Sequence, residues 1–287
     1  MSSFSAEWLA LREPFDIAAR DDELANCFLA QVAQMEQGAQ VAQVAQRTQG
    51  LQEAQVGPVV DLGAGTGSNI SRLRSLAAKL GHQLCWRHVD NDGDLLALAR
   101  QRFSGDSSVS IEQRDICFAL DAALQGASAV TCAALLDLVS AAWINQLADR
   151  LANGKLPLLA LLSYDGRMQW RLADASDAIL AQAFHRDMLG DKGFGPALGP
   201  TAAFALAAAL TARGAITQLR DSYWRIAASD SAMLTAMNAS LSAAALRAAH
   251  GPERSAIEAW SARRSRQIAG GEVSLVVGHQ ELLATWP

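Results

Sequence analysis

The sequence predicts an α/β fold with a mostly parallel sheet and helices on both faces. Three observations predict it. Residues 55–80 read as an apolar strand, a glycine-rich turn and a helix. Short apolar runs then alternate with helical patterns as far as residue 163. Just over half (51%) of the 287 residues are hydrophobic, ample for a large core.

Composition narrows the function classes. The net charge is −5 and the sequence pI is near 5.5. No global basic field therefore exists to attract nucleic acid. Arginine outnumbers lysine 21 to three, which reads as genome composition and makes Lys192, inside a glycine-rich segment, noticeable. Cys27, Cys85, Cys117 and Cys132 lie far apart. No Cys-x-x-Cys pair points to a metal, and buried thiols are expected. The first residues carry Glu7 and Arg12 with no apolar run, unlike a signal peptide. No apolar stretch approaches the roughly 18–20 residues of a membrane helix. A soluble cytoplasmic protein without a membrane partner is expected.

Taken in order, Ser5–Leu11 predicts one or two helical turns stopped by Pro14. Leu24, Phe28, Leu29 and Val32 mark a stronger helix. From Gln31 to Gln55 a glutamine stands at every third position, nine in all. Three is not the helical period, so successive glutamines wind round the axis by about 60° and form no face. This stretch reads as a low-complexity insertion, partly helical and partly mobile. Residues 1–55 are expected to form an N-terminal helical cap, and 56–287 the main domain.

The most informative stretch is Val59–Asn69, where Asp61 opens Asp-x-Gly-x-Gly-x-Gly. Glycines let the backbone turn sharply and approach a ligand. The helix that follows, through Leu73, Leu76, Ala77 and Leu80 to Gly81, offers unpaired N–H groups at its start. A dinucleotide site wants its third glycine at position 68, which is Ser68 here. Asp61, two residues before the first glycine, suits a cationic ligand group better than a pyrophosphate. This spacing resembles motif I of the class I S-adenosylmethionine (SAM) methyltransferases. The resemblance implies a Rossmann-like seven-stranded sheet with the last strand antiparallel, and SAM as cofactor. Its methionine part would lie on the glycine loop, contacted by Asp61, Gly63, Ala64, Gly65, Gly67 and Asn69.

Gln83–Asp90 reads as the second strand and Asp94–Phe103 as the helix after it. A carboxylate at that strand end can accept both ribose hydroxyls. Asp90, with Asn91, matches motif II by position. Val109–Arg114 reads as the third strand; the Asp115-Ile116 pair after it stands where the family receives the adenine amino group and ring. Ala129–Cys132 is the fourth strand, leading to Asp137 and a helix through Trp143, Leu147 and Leu151. The Asn/Asp-Pro-Pro-Tyr motif of DNA amino methyltransferases and the Pro-Cys nucleophile of cytosine C5 methyltransferases are absent.

Leu156–Ser163 is the fifth strand. Residues 164–200 concentrate glycine, proline and charge, and read as a lid-like insertion. Thr201–Arg213 reads as a helix and Ala215–Ala227 as a strand. Helices over Ala232–Ala249 and Glu253–Ile268 form an insertion at 230–270, and Val273–His279 is the final strand. More narrowly, the chain resembles bacterial methyltransferases with elements like Leu11–Pro14, Leu135–Ser140 and Asp191–Gly195.

The implied reaction is an in-line displacement in which an O, N, S or C of a small-molecule acceptor takes the sulfonium methyl, leaving S-adenosylhomocysteine (SAH). Asp137, His185 and Asp187 are the candidate bases if the nucleophile must lose a proton. N-terminal helices of small-molecule methyltransferases often close over the pocket. Arg12, Asp16 and Arg20 therefore join Tyr164 and Lys192 as candidate substrate contacts. Two alternatives stay open. One is a protein or RNA methyltransferase docking through the basic helix near Arg263, which the acidic balance opposes. The other is a non-catalytic protein that keeps the SAM pocket.

Overall fold

The computed structural model describes residues 5–47 and 57–287, the side chains of residues 39–47 excepted. Four short apolar runs form β1 (Val59–Leu62), β2 (Trp86–Asp90), β3 (Val109–Gln113) and β4 (Ala129–Ala133). Three longer strands follow: β5 (Leu158–Trp170), β6 (Ile216–Ile226) and β7 (Leu275–Thr285). They make one sheet in the order β3-β2-β1-β4-β5-β7-β6. The first five are parallel, and β7 runs against both β5 and β6. This is the mostly parallel sheet with an antiparallel last strand that the sequence predicts.

Helices α1 (Ala6–Ala19) and α2 (Asp22–Arg47) precede the sheet. Helices α3 (Ser68–Lys79), α4 (Gly93–Arg102), α5 (Leu120–Leu124) and α6 (Ala141–Gly154) link β1 through β5. Between β5 and β6 lie α7 (Asp177–Met188) and α8 (Ala202–Thr211), and between β6 and β7 lie α9 (Ser231–Arg247) and α10 (Glu253–Ala269). Among the described residues no helix is long and apolar enough to cross a membrane.

Side chains alternate across the sheet. Val60, Leu62, Val130, Cys132 and Leu282 pack with Leu147 and Leu151 of α6 and Leu206 of α8. Val59, Ala129, Leu159 and Leu283 face the other way, against Phe28 and Val32 of α2 and Ile70 and Leu73 of α3. Asp61 shares the alternation of Val59, so it lies wholly buried on this second face. A third core joins β5–β7 to α7, α9 and α10, with Trp8, Leu11 and Phe15 of α1 against it.

Several boundaries differ from expectation. Helix α1 runs through Pro14 to Ala19. Both Pro14 and Ala10 are exposed, so water can satisfy the carbonyl that Pro14 cannot bond, and Trp8, Leu11 and Phe15 anchor the helix on both sides of the proline. Strand β5 continues beyond Ser163 to Trp170 because β7 pairs with it as far as Trp170↔Leu275, across two register shifts. Strand β1 begins only at Val59. Helix α2 carries the glutamine-rich segment as far as Arg47; Val32 and Ala33 are buried while Gln34 and Gln37 are exposed. Residues 48–55 of that segment lie outside the described residues.

Candidate functional site

In the sheet, β1 lies between β2 and β4, so chain connections leave its two sides in opposite directions. Such a switch point opens a crevice at the carboxyl ends of the strands. Here the crevice is a cleft of about 380 Å³. The chain has the class I methyltransferase fold. The cleft is floored by the glycine loop, which turns at Gly63 (φ +63°) and Gly65 (φ +54°). Leu9 of α1 closes over the loop, 3.5 Å from where a Cβ on Gly65 would stand. Gly67 caps α3 at φ +87°, and a Cβ there would meet Phe103 at 2.4 Å. Its glycine is demanded by packing, and Gly67 does not line the cleft.

Asp61 is the best-defined group of the cleft. Asn69 Nδ2 donates to Asp61 Oδ1 at 2.8 Å and to Thr131 Oγ1 at 3.1 Å. Asn69 Oδ1 in turn accepts from Arg20 Nη1 at 3.2 Å. Asp61 Oδ2 is buried with no hydrogen-bond partner among the described residues. Burial pushes the Asp61 carboxyl up to about 7, with Asn69 and Arg20 pulling it down and Asp90 adding to the rise. Glu281 of β7 is also wholly buried with one unpartnered oxygen, and burial raises it to about 7 against the Asp21 N–H and Arg20.

Asp90 ends β2 in the cleft wall. Its Oδ2 accepts the Gly65 N–H at 2.8 Å and its Oδ1 the Asp92 N–H at 2.9 Å. A carboxylate has about four lone-pair sites, so acceptor capacity remains. Ala64, Asn91, Asp115 and Ile116 also line the cleft. Asp115 Oδ1 takes the Cys117 N–H at 2.9 Å, and Trp143 Nε1 donates to the Ile116 carbonyl at 2.9 Å, fixing the segment after β3.

Arg12, Asp16 and Arg20 reach the cleft from one face of α1 and its C-cap. Arg12 holds Asp16 through two bonds, Nε–Oδ2 at 2.9 Å and Nη2–Oδ1 at 3.1 Å. Trp224 Nε1 donates to Asp16 as well, at 3.0 Å. Lys192 lines the cleft too, with Leu138 and Phe194.

Other predicted residues stand off the cleft. Asp137 sits in a single 3-10 turn, Leu136–Leu138, with Oδ1 buried and unpartnered. Burial raises its carboxyl to about 6, opposed by Arg12 and the Tyr164 N–H. Tyr164 and His185 lie together on β5 and α7, sharing a 3.0 Å hydrogen bond between Oη and Nε2. Burial raises the Tyr164 hydroxyl and lowers the His185 imidazole. Asp187 accepts two bonds from Arg247 (2.9 and 2.8 Å) and one from Lys192 (3.0 Å). Burial works against it, yet these two cations hold its carboxyl below the ordinary range.

Sequence reading missed Leu9, Arg114, Leu135, Leu138 and Phe194 as cleft residues. A signal existed for two. Leu9 shares the helical face of Arg12, Asp16 and Arg20, and Phe194 stands two residues after Lys192 in the same loop.

No family model and no curated protein matches the chain. Among solved structures it is similar to phosphoethanolamine N-methyltransferase 2 of Haemonchus contortus, in complex with phosphomonomethylethanolamine and SAH (13% identity, 81% of this chain and 49% of that one, TM-score 0.40). It is also similar to the cyclopropane synthase MmaA2 of Mycobacterium tuberculosis (9%, 80% and 78%, TM-score 0.41) and to an O-methyltransferase family protein from Burkholderia thailandensis (13%, 79% and 51%, TM-score 0.40). The chain spans about half the length of the Haemonchus enzyme. Likeness this distant says nothing about chemistry; the cleft itself must carry that.

Proposed function

We propose that the protein transfers a methyl group from SAM to a small-molecule acceptor. The observation that carries this reading is the wholly buried Asp61, which keeps one oxygen without a partner at the edge of a glycine-turned loop. An unmet buried carboxylate oxygen costs free energy unless a ligand completes it. A ligand ammonium would do so, and the amino group of SAM supplies one. Asp90 would take the ribose hydroxyls with its remaining lone pairs, and Asp115 and Ile116 would meet the adenine. Gly63 and Gly65 keep Cβ atoms out of the way of the methionine part.

When bound, SAM supplies an electrophilic methyl on its sulfonium. The chain's own contribution is alignment and exclusion of water, which can lower such a barrier by about 7–11 kcal/mol. Leu9 of α1 covers the loop, and Leu135, against Gly63, adds apolar lining with Leu138 and Phe194. Asp137, which burial raises to about 6, is the best matched of the candidate bases to taking a proton near neutral pH; it adjoins the cleft residue Leu138 without itself lining the cleft. Asp187, bound by two cations, is the worst. The size of the cleft and the helix across it favour a small acceptor over a protein or RNA.

Calorimetric titration of the purified protein with SAH, with NAD as control, tests the cofactor. Micromolar binding of SAH alone is expected. Absence of SAH binding would remove this reading.

A further inference from the structure

Four cations stand in the cleft wall: Arg12, Arg20, Arg114 and Lys192. Three of them are spoken for. Arg12 is held at two points by Asp16. Arg114 is held by Glu112, through Nε at 3.2 Å and Nη2 at 2.9 Å. Arg20 bonds Asn69 through Nη1 and has Asp16, Asp61 and Glu281 around it; its Nε, though without a partner among the described residues, is buried. Lys192 differs. Its one carboxylate, Asp187, is also gripped at both oxygens by Arg247. One negative charge thus serves two cations. A lysine ammonium has three N–H donors, and among the described residues only one of these is used.

The loop that carries Lys192 is built to hold it still. Asp191 Oδ1 accepts the N–H groups of Gly193 and Gly195 at 2.7 and 3.0 Å. Asp191 bridges to Pro196, and Ala197 to Ser140. Phe194 meets Trp143 edge to face, at 5.5 Å between ring centroids. The side chain of Lys192 is only 18% exposed. A mostly buried ammonium with unspent donors, beside the apolar Leu138 and Phe194, selects an anionic partner.

We propose that Lys192 sets the acceptor class: the methyl acceptor carries an oxyanion, a carboxylate or a phosphate, which takes the two free donors of Lys192. This rests on the reading of the cleft as a SAM site, since the cofactor then occupies the glycine-loop side and leaves the Lys192 wall to the acceptor. Asp187 does not repel the oxyanion, because Arg247 neutralises it. The oxyanion would orient the acceptor, and Lys192 takes no part in the chemical step.

The test uses the full chain saturated with SAH. Thermal unfolding is followed against increasing inorganic phosphate and, separately, acetate, with ionic strength held constant by chloride. The two probes tell a phosphate from a carboxylate preference. The wild type is expected to show a saturable rise in Tm of about 2–4 °C with at least one of them. Lys192→Met should abolish the rise, and Lys192→Arg should keep at least part of it. An equal rise in Lys192→Met would place the anion elsewhere and overturn the proposal. So would a wild type indifferent to both anions, whatever the variants do or fail to fold into. SAH titration of the wild type separates the two levels. SAH binding without an anion response overturns the role of Lys192 alone, whereas no SAH binding overturns the cofactor reading beneath it.

Discussion

The two sides of the molecule treat carboxylates differently. Around α7, α9 and α10 the partly buried acids Asp174, Asp177 and Asp187 are each held by an arginine. Asp174 takes two bonds from Arg263, which pulls its carboxyl down to about 2 against burial. Asp177 is gripped by Arg264 and Trp260, and Asp187 by Arg247 and Lys192. On the glycine-loop side Asp61 is fully buried and keeps an oxygen unpartnered. Glu281 and Asp137 are also buried with an unpartnered oxygen, but of these three acids only Asp61 lines the cleft, where a ligand can offset the cost of burial. The contrast separates acids that hold the fold together from an acid that the fold holds ready.

The strongest way to break this comparison is Asp61→Asn. If Asp61 meets a ligand ammonium, the variant buries that ammonium without a counter-charge, a loss of about 3–5 kcal/mol and so at least about a hundredfold in SAH affinity. The empty protein should gain stability instead. The Asp61 carboxyl is raised by burial to about 7, above its unfolded value. Its contribution to stability is therefore fully present below the unfolded pKa, near 4, and is lost as pH rises through 7. The Tm of Asp61→Asn should exceed that of the wild type by a margin that grows from pH 5 to pH 8 and then levels off. Unchanged SAH affinity would show that the unmet oxygen has another purpose.

Asp90→Ala should cost less, about tenfold or somewhat more in SAH affinity, for one or two charge-assisted bonds of about 1.5–3 kcal/mol each that are partly replaced by water. Asp90 also takes the Gly65 and Asp92 N–H groups, so part of the loss would come from a loosened loop. Asp90→Asn retains one acceptor oxygen for those N–H groups. It should recover loop order, read by hydrogen exchange at Gly65, without recovering affinity.

What could be read in the sequence follows the same division. Asp61, the glycines and Asp90 belong to a strand, a turn and a helix that are contiguous in the chain, and the alternation of apolar and helical runs carries that information locally. Sheet order could be inferred from the resemblance. The partners of these residues come from elsewhere. Glu281 reaches the face of Asp61 only because β7 inserts between β5 and β6, and no local pattern encodes that insertion. Leu9 lies over Gly65 only because α1 survives Pro14. His185 and Asp187, expected in a lid, sit on a helix whose apolar face packs against α9, which turns them toward Tyr164 and Arg247. Lys192, seven residues beyond His185, does reach the cleft.

Asp187→Ala probes the arginine-held side. It removes the shared anion of Lys192 and Arg247, and the exposure of Arg247 at 61% limits the effect. A loss of about 1 kcal/mol is expected, seen as a fall in Tm of about 2–4 °C. SAH affinity should change little. A large fall in SAH affinity with normal stability would mean that Asp187 belongs to the cofactor side, and the division drawn above would fail.

The smallest effect sharpens the boundary between the sides. Glu13 on α1 and Arg102 on α4 form a two-point pair (3.1 and 3.0 Å), joining the covering helix to the rim of the cleft. Both ends are partly exposed, so the pair is worth about 0.2–1 kcal/mol. If α1 must lift to release the cofactor, Glu13→Gln lowers the barrier by that amount. Stopped-flow release of SAH should then quicken by up to about fivefold. Entry should quicken in step, leaving equilibrium affinity nearly constant. The pH dependence has a definite sign. Arg102 holds the Glu13 carboxyl below its ordinary value, so the latch works above the unfolded pKa and weakens as pH falls through the lowered one. Wild type and variant should converge at acid pH. Faster release with unchanged entry would instead mean that Glu13 stabilises only the closed, loaded form, and α1 would then be a clasp formed after binding, not a door that opens before it.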